Sequence, residues 1–240
     1  MSGPDLSRQT SMAGVRVPGV AIALNGGVAP ELVWRNQLDG LTFRVRDGYL
    51  KWNPRASGVD LGREAARLEW LAGRHPVPRI LERGEDAEAQ WLLTAPLDGA
   101  SAVAPEWIAR PEEAVRAIAA GLRAVHALPV AEVPAALRGD SWFDRRSAAL
   151  SAAPALDEPV VVHGDACAPN TLIGVDGRWC ASVDVGDLGV GDRWADLAVA
   201  VVSLGWNYGE GWGPLLLREY GIEPDEERAR YYRELWGLES

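Results

Sequence analysis

Two short apolar runs joined by a turn, each ending on an acidic residue, constrain this chain more than any other feature. In residues 160–186, VVVHGDACAPNTLIGVDGRWCASVDVG, three valines lead into His163-Gly164-Asp165. Asn170 follows five residues after Asp165, and a second half-apolar run delivers Asp184 with Gly186 two places on. Val175-Asp176-Gly177-Arg178 carries the residues of a hairpin turn, so Asp176 and Gly177 are assigned to turn chemistry alone. A lone D-x-x-x-x-N would carry no information. The ordered set of H-G-D, Asn and D-x-G, each at the end of a short apolar strand, does. Transfer of a phosphoryl group needs little covalent help from a protein, but it needs Mg²⁺ on the phosphate oxygens and a carboxylate beside the attacking hydroxyl. Mg²⁺ prefers hard oxygen donors. The spacing therefore predicts Asp165 as the base and Asn170 and Asp184 as metal ligands, with Gly164 and Gly186 where the backbone must turn sharply.

Upstream, LVWRNQLDGLTFRVRDGYLKW alternates apolar and polar residues around two turn signals and predicts strands over 31–36, 41–46 and 49–52. The turn between the first two, Gln37-Leu38-Asp39-Gly40, is a candidate phosphate flap, with Asp39 and Gly40 at its tip. Ala65, Leu68, Leu71 and Ala72 recur at helical spacing and Gly73 marks a stop. Strands are expected over 80–83 and 90–94, and an amphipathic helix over 112–128. Residues 129–158, rich in Pro, Ala and acids, read as part helix and part loop. GVGDRWADLAVAVVSLGW reads as a buried helix and ERARYYRELWG as a terminal one. The class is α+β: an N-terminal lobe over 1–95, with 1–30 partly irregular, carries an antiparallel sheet and a helix. A mostly helical C-terminal lobe over 96–240 carries the catalytic hairpin.

Composition removes several alternatives. With 34 acidic against 24 basic residues the formal charge is −10, which argues against nucleic acid or an anionic membrane as partner and is compatible with a cationic small molecule. No apolar run approaches the ~18 residues that cross a bilayer, and the first residues lack the pattern of a secretory signal, so a cytoplasmic location is expected. No obligate protein partner is indicated. Two cysteines and three histidines, without C-x-x-C, suggest neither a disulfide framework nor zinc. Cys167 sits in the candidate loop among acidic groups and reads as a spectator thiol.

These residues closely resemble the aminoglycoside 3′-phosphotransferases, kanamycin and neomycin kinases with the bilobal fold of protein kinases. VVHGDACAPNTLIGVDGRW and VDVGDLGVGDRWADLAVAV carry the match, supported by EAARLEWLA, QWLL, the L-x-x-x-H of 122–126 and the DR-x-x-DLA of 192–198. The resemblance implies Asp165 as catalytic aspartate, Asn170 and Asp184 as magnesium ligands, Lys51 as the lysine on the α- and β-phosphates, and Glu64 as its ion-pair partner. An inward-facing lysine on an apolar strand needs an anion in any case. It further implies adenine on backbone groups of Ala95 and Leu97 at the connection between lobes, and ATP with Mg²⁺ as cofactors, GTP being an alternative donor. His163 and His126 read as packed structural residues. Asp192 and Asp196 tie loop to helix, or Asp192 caps an exposed helix end.

The departures concern the acceptor. Where the family has G-R-L-G this chain has Gly186-Asp187-Leu188-Gly189, a negative group for a positive one, and the lid segment is short. Family positions that clamp ammonium groups hold Val202, Ser203 and Trp206 in one stretch and Trp236, Gly237 and Leu238 in another. Asp187, Asp140, Asp144, Asp157, Glu210 and Glu239 are carboxylates that can substitute for the clamp. Trp206, Tyr208 and Trp212 offer rings on which an acceptor can stack. The expected activity is ATP-dependent O-phosphorylation of a polycationic acceptor, an aminoglycoside first and a macrolide, peptide antibiotic, amine or sugar metabolite as the alternative. A non-catalytic binding module of the same fold is disfavoured because Lys51, Glu64, Asp165, Asn170 and Asp184 are all present.

Overall fold

Leu41, Phe43, Val45 and Leu50 share one face of a five-stranded antiparallel sheet because successive side chains on a strand alternate sides. The computed structural model describes residues 12, 14–139, 141–146, 153–156 and 158–237. Its strands are β1 (Glu31–Arg35), β2 (Leu41–Val45), β3 (Gly48–Pro54), β4 (Ile80–Glu85) and β5 (Ala89–Thr94), in the order β1-β2-β3-β5-β4. Phe43 and Leu50 are fully buried, with Leu32, Leu93 and Ala21 in the same cluster. Register places Lys51 beside Thr42 of β2 and Leu92 of β5. Lys51 is thus on the face opposite Leu50.

The described residues of Met1–Glu69 with Pro78–Leu97 form one unit, and Trp70–Val77 with those of Asp98–Ser240 form the other. Besides the sheet, the first unit contains α1 (Gly19–Leu24) and most of α2 (Leu61–Leu71). α1 was not legible in the sequence. Six residues are too few to show a helical period, and the helix is held through Ala21 in the sheet's core.

In the second unit, β6 (Ala100–Ser101), β8 (Thr171–Ile173) and β9 (Trp179–Ser182) make a three-stranded sheet, and β7 (Val160–Val162) pairs with β10 (Gly189–Gly191). Gly-Val-Gly has no strand signature of its own. β10 forms because the backbone of the fully apolar β7 must find hydrogen-bond partners away from water. The helices are α3 (Pro105–Ile108), α4 (Pro111–His126), α5 (Ala135–Arg138), α6 (Trp142–Arg146), α7 (Trp194–Tyr208), α8 (Gly213–Tyr220) and α9 (Glu226–Gly237). Pro111 occupies the first turn of α4, where its missing N–H costs nothing, and Ala114, Ile118 and Leu122 bury one face. α7 is buried along most of its length, and Leu197, Ala198 and Leu204 anchor the core of the unit. Among the described residues no helix is long and apolar enough to cross a membrane.

Candidate active site

In the first unit, β3 delivers Lys51 and the first turn of α2 delivers Glu64. The Lys51 Nζ lies 2.6 and 2.8 Å from the two carboxylate oxygens of Glu64. Glu64 is nearly buried and Lys51 about a quarter exposed, so the pair is held tightly while the ammonium keeps access to a ligand. Ala95 donates its N–H to the Arg79 carbonyl at 2.8 Å, which leaves its own carbonyl as the group it can offer an adenine, while Leu97 is half-buried.

The hairpin tip is ordered by its own side chains. Asn36 Oδ1 accepts from Leu38 N–H at 2.9 Å and Gly40 N–H at 2.7 Å, and Asp39, in the left-handed region at φ 61°, receives Arg35 Nη2 at 2.6 Å. A Cβ on Gly40 would lie 1.9 Å from Asn53 Oδ1 and 2.4 Å from Asn36 Nδ2, so any larger residue would displace the side chains that order the turn. Asp39 and Gly40 therefore shape the turn. The Gly40 N–H is already committed to Asn36, and a carboxylate at residue 39 repels phosphate.

In the second unit, β7 ends at His163-Gly164-Asp165. Gly164 has φ 85°, and a Cβ there would lie 2.1 Å from the Asp187 carbonyl oxygen, so the backbone that carries Asp165 is pressed against the segment that follows Asp184. Asn170, ending the 3₁₀ turn Ala168–Asn170, donates from Nδ2 to the Asp165 carboxylate and carbonyl, each at 2.9 Å. That commits the amide nitrogen and leaves Oδ1 as the atom that can face a metal. Desolvation pushes the Asp165 carboxyl above the ordinary carboxylate range and the charge of Asp184 adds to it, against hydrogen bonds from Cys167 and Asn170 and the field of His163. A raised carboxyl is a stronger base toward a hydroxyl. The thiol of Cys167 is itself pushed well up by burial and by Asp165, which keeps it protonated and unreactive.

Asp184 is exposed and sits at φ 61°. Non-glycine residues adopt that conformation at a cost, and such outliers gather at functional sites. Its position is set by its neighbours: Val183 N–H donates to the Asn170 carbonyl at 3.0 Å, and the Val183 carbonyl lies 3.0 Å from His163 Nε2. Asn170 and Asp184 are thus tied by backbone to the same loop. The donor set is hard oxygen and fits Mg²⁺, which takes one or two carboxylates and completes its shell with water and phosphate. Among the described residues there is no cluster of three or more His, Cys, Asp or Glu that could hold a metal ion.

Several residues that hold this site carried no signal of their own in the sequence. Trp142 is buried and donates its indole N–H to the Gly164 carbonyl at 2.6 Å. Ser141 donates to the Asp187 carbonyl at 2.8 Å, and Ser203 of α7 accepts from Ala168 N–H at 2.9 Å. His75 packs against Trp179 and lies 3.1 Å from the Ser182 hydroxyl, two residues before Asp184. A buried tryptophan or histidine usually pairs its N–H, but which group it reaches is a tertiary fact. Asp192 is buried, not an exposed cap: it accepts from Trp194 N–H at 2.9 Å and pairs with Arg228 of α9.

Burial lowers the His75 pKa from 6.5 to about 4, with the charge of His163 adding to the effect. The unfolded chain therefore binds the proton more tightly, and stability is lost as pH falls from 6.5 toward 4. Relative to pH 7, wild type at pH 4.5 is expected to lose about 2–3 kcal/mol through this residue. Thermal melts across that window should show a shallower decline for His75→Gln, and equal slopes would contradict the assignment.

The acceptor-side candidates are scattered. Asp187 is half-buried beside Gly164, Asp144 is exposed on α6, and Glu210 is exposed past α7 with its carboxylate over Gly205. Asp140, Asp157 and Glu239 lie outside the described residues. Trp206 pairs with Trp236, ring centroids 5.5 Å apart, one helical turn beyond Ser203. Tyr208 donates its hydroxyl to the Ala102 carbonyl, and Trp212 donates its N–H to the Tyr208 carbonyl at 3.2 Å. These two hold structure, whereas the Trp206 and Trp236 rings, from α7 and α9, pair with each other.

Comparison with known proteins gives one consistent answer. A family profile described as "Phosphotransferase enzyme family" matches residues 21–153 and 139–232. An aminoglycoside 3′-phosphotransferase of Streptomyces fradiae is 36% identical, covering 88% of this chain and 92% of the relative. One from Niallia circulans is 31% identical over 79% of this chain and 83% of its own length. Among solved structures, an aminoglycoside phosphotransferase of Streptomyces rimosus superposes with a TM-score of 0.72 at 26% identity, covering 91% of this chain and 96% of that one. The same enzyme in complex with ADP and streptomycin matches with a TM-score of 0.66 at 27% identity, covering 82% and 90% of the two chains.

Proposed function

The chain belongs to the phosphotransferase enzyme family, and on that premise we propose that it moves the γ-phosphoryl group of ATP to a hydroxyl of an aminoglycoside. The observation that carries the chemistry is the Asp165 carboxylate, held at 2.9 Å by the Asn170 amide and raised by burial and by Asp184. Asp165 orients the acceptor hydroxyl and takes its proton as the oxygen attacks phosphorus. Asn170 Oδ1 and the Asp184 carboxylate would hold Mg²⁺, which when bound neutralises charge on the phosphate oxygens. Lys51, fixed by Glu64, holds α- and β-phosphate oxygens, and the Ala95 carbonyl and Leu97 N–H take the adenine.

The acceptor class is supported by the 36% identical Streptomyces fradiae relative and by the excess of acidic residues, which suits a polycation. One observation favours a second reading: the Trp206–Trp236 pair presents aromatic surface where an acceptor with an apolar face would stack. ADP release by the purified protein with Mg²⁺ and ATP separates the two. Kanamycin- and neomycin-type compounds are expected to stimulate release well above the acceptor-free rate. Stimulation by macrolides alone, or by none of these compounds, would remove the aminoglycoside assignment.

A further inference from the structure

The loops that carry the proposed base and the proposed metal ligand are each held at a second point by α6 and the residue before it. Trp142, buried in the first turn of α6, donates its indole N–H to the Gly164 carbonyl at 2.6 Å, and the fully buried Ser141 donates its hydroxyl to the Asp187 carbonyl at 2.8 Å. Gly164 immediately precedes Asp165, and Asp187 lies three residues past Asp184. On the other side, Asn170 Nδ2 donates to the Asp165 carboxylate and Val183 N–H donates to the Asn170 carbonyl. Each carboxylate therefore sits on a short stretch fixed at both ends.

The neighbouring strand leaves room for this clip. Gly189 and Gly191 of β10 lack the positive φ that would demand glycine. A Cβ at Gly189 would lie 2.1 Å from Ser141 Oγ, and one at Gly191 would lie 2.5 Å from the Phe143 ring, so it is space for residues 141–143 that keeps them small. At Gly164 a Cβ would meet the Asp187 carbonyl oxygen at 2.1 Å, the same oxygen that Ser141 holds. The backbone at Asp184 has particular need of such anchors. Its φ of 61° is costly for a non-glycine residue and persists only where the surroundings over-determine it. The bonds at Val183 and Asp187 supply that constraint from either side.

We propose that Ser141 and Trp142 are positioning residues for phosphoryl transfer: Trp142 fixes the backbone entering Asp165, Ser141 fixes the backbone leaving Asp184, and, being adjacent on the chain, they set the spacing between the two carboxylates. This rests on the reading of Asp165 as base and Asp184 as metal ligand. The role requires no contact with substrate. The two links act on different groups, so they separate in measurement. Loosening Trp142 disturbs the base, and loosening Ser141 disturbs the metal ligand.

The test compares wild type with Trp142→Phe, Ser141→Ala, Gly189→Ala and the double variant Ser141→Ala/Gly189→Ala, measured well below the melting temperature and scaled to folded protein. Trp142→Phe keeps a ring and loses the N–H. Its kcat is expected to fall about five- to thirtyfold, with the half-saturating Mg²⁺ concentration within about twofold of wild type, the effect of slight misplacement of a reacting group. Ser141→Ala should instead raise that Mg²⁺ concentration about tenfold and weaken Mg²⁺–ADP binding, read by calorimetry, by a similar factor, as loss of a group that orients a metal ligand does. Gly189→Ala, whose Cβ displaces the Ser141 hydroxyl, should behave alike. Added to Ser141→Ala it should change either quantity by about twofold or less, because the next atom, Ser141 Cβ, is 3.3 Å away and the two changes break one link. Lower melting temperatures with kcat per folded molecule and Mg²⁺ dependence unchanged overturn the proposal, as does a Gly189→Ala effect that multiplies in full with Ser141→Ala. If Trp142→Phe does not fold, the Ser141 and Gly189 variants decide by the same criteria. Wild type that binds Mg²⁺–ADP but transfers no phosphoryl group refutes the phosphotransferase reading, while the binding ratios still judge Ser141.

Discussion

Asp165→Asn is expected to reduce kcat by about 10²–10⁴-fold, the contribution of a positioned base, while leaving ATP affinity within a few-fold of wild type. The asparagine keeps the size of the side chain and its hydrogen-bonding link to Asn170, so the loop geometry survives and only the proton acceptor is lost. The same substitution should raise the melting temperature of the protein without nucleotide or metal. Desolvation and the nearby Asp184 both disfavour a charge at residue 165, as its raised carboxyl records, and removing the charge relieves both. A loss of activity coupled to a gain in stability distinguishes a catalytic carboxylate from one that holds the fold. Wild-type-like turnover, or a variant both inactive and markedly less stable, would count against this assignment.

The second large effect is expected at Asp184, where backbone and side chain can be separated. Asp184→Ala removes the proposed metal ligand and also places a residue ill-suited to φ 61° in that conformation, at about 1–2 kcal/mol. Asp184→Asn and Asp184→Gly lose the carboxylate charge but tolerate the left-handed backbone. All three should lose kcat/KM by roughly a hundredfold or more, since a metal ion supplies several kcal/mol of transition-state charge stabilisation, and the Mg²⁺ concentration for half-maximal rate should rise. Only the alanine variant should also melt appreciably lower. Equal losses of stability in all three would mean that Asp184 serves the fold rather than the metal.

The sequence was most readable where one physical rule acts locally. Alternation set β2 and β3 and hence the face on which Lys51 lies; a 3.6-residue period and Pro111 set α4; and Asp176-Gly177 set the turn that joins β8 to β9. Asp165, Asn170 and Asp184 were legible because a hairpin of two short strands brings their positions together with few residues between. What escaped the sequence depends on pairings at long range. Trp142 reaches the Gly164 carbonyl, His75 reaches Ser182, and His126 reaches Asp196, each across at least 22 positions. None lies in a period or a turn, so nothing local marks its partner. β10 shows the same limit in the backbone, since Gly189-Val190-Gly191 becomes a strand only because β7 requires one.

The acceptor side is where local rules give least. A clamp for ammonium groups is an arrangement of carboxylates in space, and Asp187, Asp144 and Glu210 come from three separate segments, the first half-buried and the other two exposed. Ser203, at a position where the family carries acidic residues, is buried and accepts from the backbone of the catalytic loop instead, so its hydroxyl is spent on structure. The Trp206–Trp236 pair beyond it adds apolar surface rather than charge.

The most direct measurement of the central claim is the identity of the product. Purified protein is incubated with Mg²⁺, ATP carrying an isotopic label in its γ-phosphoryl group, and a kanamycin- or neomycin-type aminoglycoside, and the acceptor is isolated for mass spectrometry and ³¹P NMR. The expected result is one added HPO₃ unit bearing the label, esterified to a hydroxyl carbon, absent when Asp165→Asn replaces wild type. Label released only as inorganic phosphate, or an unmodified aminoglycoside after ATP has been consumed, would contradict it.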